Sequence, residues 1–183
     1  MNGSSDTAGA GTECFGEAEV EPPHGLVLDV SVEDNSWDSL AGVEQVVAAA
    51  GGAVAVRMEL ENCEAAVALS SDARVRELNR TYRGRDKPTN VLSFPSPAVP
   101  FVAEGLSSTR YLGDIILAAE TVAAEAAHEG KPVRHHVQHL VVHGLLHLLG
   151  HDHEAEDAAR RMEKLEVEIL DTLGVPDPYG EAA

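Results

Sequence analysis

Aromatic residues are scarce, at 4% of 183 positions, so aliphatic and alanine side chains must fill any core. Hydrophobic residues nevertheless reach 44%. A chain near this size buries roughly two-thirds of the surface its unfolded form exposes, so it needs no covalent staples. Cysteine is nearly absent: Cys14 and Cys63 stand far apart and form no CxxC pair. That excludes a disulfide framework and suits a reducing compartment. No run approaches the roughly 18 apolar residues needed to span a bilayer. The first residues also lack the basic patch and apolar run of a secretory signal. A soluble, cytoplasmic protein with no membrane partner is the expectation. Basic residues are few, 13 against 31 acidic ones, for a net charge of -18. This balance disfavours indiscriminate binding to nucleic acid or anionic lipid but leaves room for a local basic site.

Residues 1–24 are rich in Gly, Ser, Ala and Glu and show no apolar periodicity, which predicts a disordered extension. A single domain over 25–183 should follow. Leu26, Leu28 and Val30 alternate as in a strand, and Asp34, Asn35 and Ser36 offer cap chemistry for a helix over about 37–50. Gly51-Gly52 should stop that helix, leaving AVAVRMEL (53–60) and AAVALS (65–70) as strand candidates. A helix from Ser71-Asp72 to about Arg80 precedes the polar loop TYRGRDKPTNVLSFP (81–95), which runs into a short strand. YLGDIILA (111–118) reads as another strand. Helices are expected over 119–129, 132–149 and 154–173. The implied class is α/β in layered α+β form, a small mixed sheet of about four strands packed against several helices.

The segment HLVVHGLLHLLGHDH (139–153) carries the chemistry. His143 and His147 are four apart, so on a helix both rings face one ion from the same side. Gly150 is placed to end the helix in the left-handed conformation, which lets His153 return as a third ligand. Three imidazoles suit Zn²⁺, one per chain, and leave a fourth position open, the mark of a catalytic rather than a structural site. Nickel, copper and iron also accept such ligands. The HxxxHxxGxxH pattern is metzincin-like, but those proteases need Glu directly after the first His as general base. Gly144 stands there instead, which argues against a peptidase.

Six of the 13 basic residues fall within fourteen positions: Arg74, Arg76, Arg80, Arg83, Arg85 and Lys87. The first three fit a solvated helix face neutralised by Asp72 and Glu77. Arg83 to Lys87, in a glycine-containing loop, are better placed to meet phosphate, for which the guanidinium fork is suited.

TYRGRDKPTNVLSFP (81–95), LGDI (112–115) and HGLLHLLGHDH (143–153) closely resemble the YbeY family of bacterial rRNA-maturation endoribonucleases. EDNS (33–36), GKP (130–132) and DPY (177–179) extend the likeness over about residues 26–180. The resemblance implies a compact α/β fold with a metal site in a cleft. It also implies single-strand-specific cleavage of RNA in 16S rRNA 3′-end maturation and ribosome quality control. The partners would be single-stranded precursor 16S rRNA and the small ribosomal subunit with its assembly factors. Residue by residue, His143, His147 and His153 match the family's metal ligands, and Arg83 matches its essential arginine. His136 and His139 fall on recurring histidines. His151 departs from the pattern, where the family usually has Tyr.

The expected mechanism has zinc activating water or polarising a phosphodiester oxygen while Arg83, the catalytic candidate, neutralises developing charge. Arg83, Arg85, Lys87, Asn90, Ser93 and His139 are candidates for holding substrate. Two rivals remain: a metal-dependent hydrolase of another substrate, and a zinc-stabilised, non-catalytic ribosome assembly factor.

Overall fold

The first strand, β1 (Leu26–Val32), runs parallel to β2 (Cys63–Ser70), pairing Leu26 with Cys63 and Val32 with Leu69. The structure is a computed structural model and describes residues 25–97, 109–153 and 155–180; the extension over 1–24 lies outside them. β2 also pairs in parallel with β4 (Arg110–Ala118), and β3 (Val91–Pro95) lies antiparallel to β4 on the far edge. The sheet order is β1-β2-β4-β3. The class is therefore the expected mixed α/β, with four strands and five α-helices among the described residues.

The helices are α1 (Val43–Arg57), α2 (Asp72–Arg83), α3 (Ala119–His128), α4 (Val133–Leu148) and α5 (Glu156–Thr172). A main core on one face of the sheet joins Val67, Leu69, Ile115 and Leu117 to Val47 and Val54 of α1, Val141 and Leu145 of α4, and Ile169 of α5. The opposite face carries a smaller cluster, in which Val75 of α2 meets Leu92, Ile116 and Ala118. α4 is buried along most of its length from His136 to Leu148, although polar residues interrupt its apolar ones.

Two expectations about the elements need correction. The segment 53–57 is not a strand: α1 runs straight through Gly51-Gly52, and a 3₁₀ turn at Asn35–Ser39 precedes it. The reason is packing. A Cβ on Gly51 would lie 2.5 Å from Leu28 Cδ1, so glycine here permits helix–sheet contact rather than ending the helix. Arg83 is not in a loop either. It closes α2, and Gly84 caps the helix with φ 68°. α2 and α3 are fastened at their starts, where the Asp72 carboxylate accepts from the Thr121 N–H and hydroxyl while Glu120 accepts from the Asp72 N–H.

Candidate metal centre

His143 and His147 project from one face of α4 with Nε2 atoms 3.1 Å apart. Two nitrogens bound to one tetrahedral zinc at about 2.0–2.1 Å would sit about 3.3 Å apart. The partners of the opposite ring atoms decide what these nitrogens can do. His147 Nδ1 lies 3.0 Å from the His151 carbonyl, which only accepts. His143 Nδ1 lies 2.7 Å from Glu166 Oε1. Both Nδ1 atoms therefore carry the hydrogen, and both Nε2 atoms present lone pairs to each other. Two lone pairs at that distance repel unless a cation lies between them, so the donor set fits a metal ion.

The turn after α4 completes the group. Gly150 adopts φ 91°. The His151 N–H donates to the Leu146 carbonyl and the Gly150 N–H to that of His147, a Schellman-type closure. The same turn aims the His151 carbonyl at His147 and returns His153 to the site, where its ring centroid lies 5.0 Å from that of His147 and 5.7 Å from that of His143. The donor atoms of His143, His147 and His153 all fall within 4.8 Å of one another. Burial, followed by the charges of His143 and His153, lowers the pKa of His147 and so favours the neutral ligand form. Cys63 is no fourth ligand, because it is buried at the start of β2 with its thiol toward the Glu61 carbonyl.

Gly144 shows why no glutamate follows the first histidine. Its face of α4 is pressed onto the sheet, and a Cβ there would lie 2.9 Å from Ile115 Cδ1 and 3.2 Å from Ser93 Oγ. A longer side chain would collide with Ile115 and Ser93.

A cleft of about 450 Å³ opens beside the histidines, lined by Arg83, Ser93, Pro95, His147, Gly150, His151, Asp152 and His153. It joins the end of α2, the edge strand β3 and the turn after α4, bringing the segment 83–95 to histidines far downstream. A family model described as Endoribonuclease YbeY matches residues 30–174. The chain belongs to the YbeY family of endoribonucleases. Proteins called Endoribonuclease YbeY are similar to it in Azorhizobium caulinodans (48% identity, 84% of this chain and 96% of the relative) and Rhodopseudomonas palustris (49%, 87% and 92%). A third, in Bradyrhizobium diazoefficiens, is 44% identical over 95% of this chain and 96% of its own length. A solution structure of a Thermotoga maritima protein, 23% identical, covers 86% of this chain and 99% of its own with a TM-score of 0.48.

In this YbeY chain the remaining sequence candidates spread out. Arg83 and Ser93 line the cleft with the histidines. Arg85 is exposed, with its N–H donating to the Asn79 carbonyl, and Lys87 is exposed while its carbonyl accepts from Asn79. Asn90 is turned away, its amide donating to Glu125 Oε2, the oxygen that also meets His136 Nε2. Arg74 pairs with Glu77, and Arg76 makes a two-pronged contact with Asp86. His139 faces another cleft, of about 710 Å³, lined also by Lys131, His135 and Asp177.

Two residues escaped the sequence reading. Glu166 is fully buried, and its carboxylate accepts from His143 and from the Tyr179 hydroxyl, with His139 Nε2 3.5 Å away. Burial pushes its pKa up, but the hydrogen bonds from His139, His143 and Tyr179 prevail and hold it down at about 2. The signal for Glu166 was its position on the apolar stripe Met162, Glu166, Ile169, Leu170 of α5, where a charge has no place without partners. Tyr179, in the DPY ending, offered no local pattern.

Proposed function

We propose that this YbeY-family chain is a zinc-dependent endoribonuclease that hydrolyses phosphodiester bonds of single-stranded RNA. On this reading it acts in the cytoplasm on precursor 16S rRNA, in 3′-end maturation and ribosome quality control, with the small ribosomal subunit and its assembly factors as partners. The observation that carries the proposal is the shared cleft of about 450 Å³, which Arg83 and Ser93 line together with His147 and His153. His143, His147 and His153 would hold the ion, which supplies Lewis acidity toward the phosphodiester.

The residues of the chain do the rest. Arg83 presents its guanidinium to the phosphate and neutralises charge as it develops. Its place on the last turn of α2 fixes the direction from which it reaches the cleft. The Ser93 hydroxyl and the half-buried His151 are positioned to contact the strand. Arg85 and Lys87, exposed and a few residues beyond Arg83, attract the RNA backbone. With so acidic a chain, these few cations make binding local and sensitive to salt. Among the described residues no helix is long and apolar enough to cross a membrane. The burial of Gly144 under Ile115 and Ser93 disfavours the peptidase alternative, because the position directly after the first histidine has no room for the glutamate such proteases carry there.

The test is Arg83→Ala, assayed on matched single-stranded and duplex RNA. Cleavage of the single strand should fall on the order of 10²-fold or more, with bound zinc unchanged. Unaltered cleavage would remove Arg83 from the mechanism, and cleavage of the duplex at equal rate would overturn the single-strand assignment.

A further inference from the structure

We infer that Glu166, held in place by Tyr179, is a positioning residue that fixes His143 as a metal ligand. The inference rests on the reading of the three histidines as a metal site and adds the device that prepares it.

The geometry is specific. His143 has two ring nitrogens, and a ligand must offer one of them as a lone pair in a fixed direction. Glu166 Oε1 accepts from Nδ1 at 2.7 Å, which leaves Nε2 as the lone pair facing His147. The carboxylate is itself constrained, because α5 buries it completely and the Tyr179 hydroxyl donates to Oε2. Tyr179 is anchored in turn, its N–H donating to the Asp177 side chain at 2.8 Å and its ring packing edge-on against His139, with centroids 5.8 Å apart. The chain Tyr179–Glu166–His143 thus links the DPY segment to the ion site through a buried carboxylate. His147 receives the matching restraint from a backbone carbonyl. One ligand is therefore set by the helix-ending turn and the other by α5 and the C-terminal segment. Carboxylate–histidine–metal arrangements of this kind orient the ring and raise its basicity.

His139, His143 and Glu166 also bring one donor atom each within 4.8 Å, and a second ion there is the competing explanation. Two observations disfavour it. His143 Nδ1 and Glu166 Oε1 already satisfy each other, and the Tyr179 hydroxyl occupies the other carboxylate oxygen.

The experiment is zinc binding to the metal-stripped full chain, measured by competition with a chromophoric chelator, together with the visible spectrum of the cobalt-substituted protein. Wild type should bind one equivalent. His147→Ala tests the underlying site and should lose tight binding. Glu166→Gln keeps an acceptor for His143 but removes the charge, and its affinity should fall on the order of 10- to 100-fold with an altered cobalt spectrum. Tyr179→Phe, a partly exposed change that leaves the core intact, should weaken binding less, within tenfold, in the same direction. If wild type binds zinc and both variants bind it equally tightly with unchanged cobalt spectra, the inference is wrong and the site stands. If wild type binds two equivalents and Glu166→Gln binds one, Glu166 is a ligand and the positioning role is overturned. If wild type and His147→Ala bind alike, the metal-site reading itself fails.

Discussion

The Nδ1 hydrogen of His147 is held by the carbonyl of His151 at 3.0 Å, four residues further on and beyond the end of the same helix. A ligand is oriented by the very turn that delivers the third histidine. Gly150 makes this possible because its φ of 91° belongs to the left-handed region, where a side chain costs about 1–2 kcal/mol.

Gly150→Ala should therefore lower the melting temperature modestly and zinc affinity disproportionately. Thermal melts with and without zinc measure both effects. A loss of stability that is the same in both conditions would show that the turn does not serve the ion.

Gly51 and Gly52 provide a paired test of the packing. Gly52 sits mid-helix with nothing within 4 Å of an added Cβ, whereas at Gly51 that atom meets Leu28 at 2.5 Å. Gly52→Ala should stabilise the protein by up to about 1 kcal/mol through helix propensity. Gly51→Ala should destabilise it by about 1–2 kcal/mol, since overpacking forces Leu28 to move. Chemical denaturation of the two variants gives the signs, and equal stabilisation by both would contradict the close approach of α1 to β1.

That pair also marks where sequence legibility ends. Two adjacent glycines read as a helix stop because local propensity was the only information, while the contact with Leu28 lies 23 positions upstream. The later helices were legible because their apolar spacing and the turn signals at Gly130 and Gly174 agree. The histidine spacing was equally local, so the group of three could be named and its helix-ending glycine placed. Arg83 could be named from the local run of basic residues and singled out through the resemblance, but the cleft it shares with His147 needs the sheet to bring α2 and α4 together. Glu166 and Tyr179 act across 23 and 36 positions from His143, distances at which spacing carries no message.

Gly144→Ala probes the contact that replaces a protease's glutamate. The new methyl must fit 2.9 Å from Ile115 Cδ1 and 3.2 Å from Ser93 Oγ. Overpacking of this kind costs about 1–3 kcal/mol, partly offset by a helix-propensity gain of about 1 kcal/mol. Because Gly144 adjoins His143 and touches Ser93, cleavage should fall along with stability. A stable, fully active variant would mean that α4 sits further from the sheet than described.

Stability should depend on pH with a definite sign. Glu166 has a folded pKa of about 2, below its ordinary 4.5, so the unfolded chain binds more protons between those values. Its contribution is fully present above about 4.5 and is lost as pH falls toward 2, on the order of 3 kcal/mol in all. His136, whose pKa burial lowers from 6.5 against the pull of Glu125, adds an earlier decline beginning as pH drops below 6.5. Melting of metal-free protein from pH 8 to 3 should show both stages, and Glu166→Gln should abolish the lower one. A melting temperature that rises on acidification through this range would contradict the assignments.

The most direct test of the account is cleavage of a single-stranded RNA by chelator-stripped protein, titrated with zinc. Activity should be absent at the start and return in proportion to added metal, reaching its plateau at one equivalent per chain, while His147→Ala stays inactive throughout. Full cleavage by the stripped protein, or by His147→Ala, would contradict a reaction centred on the three histidines.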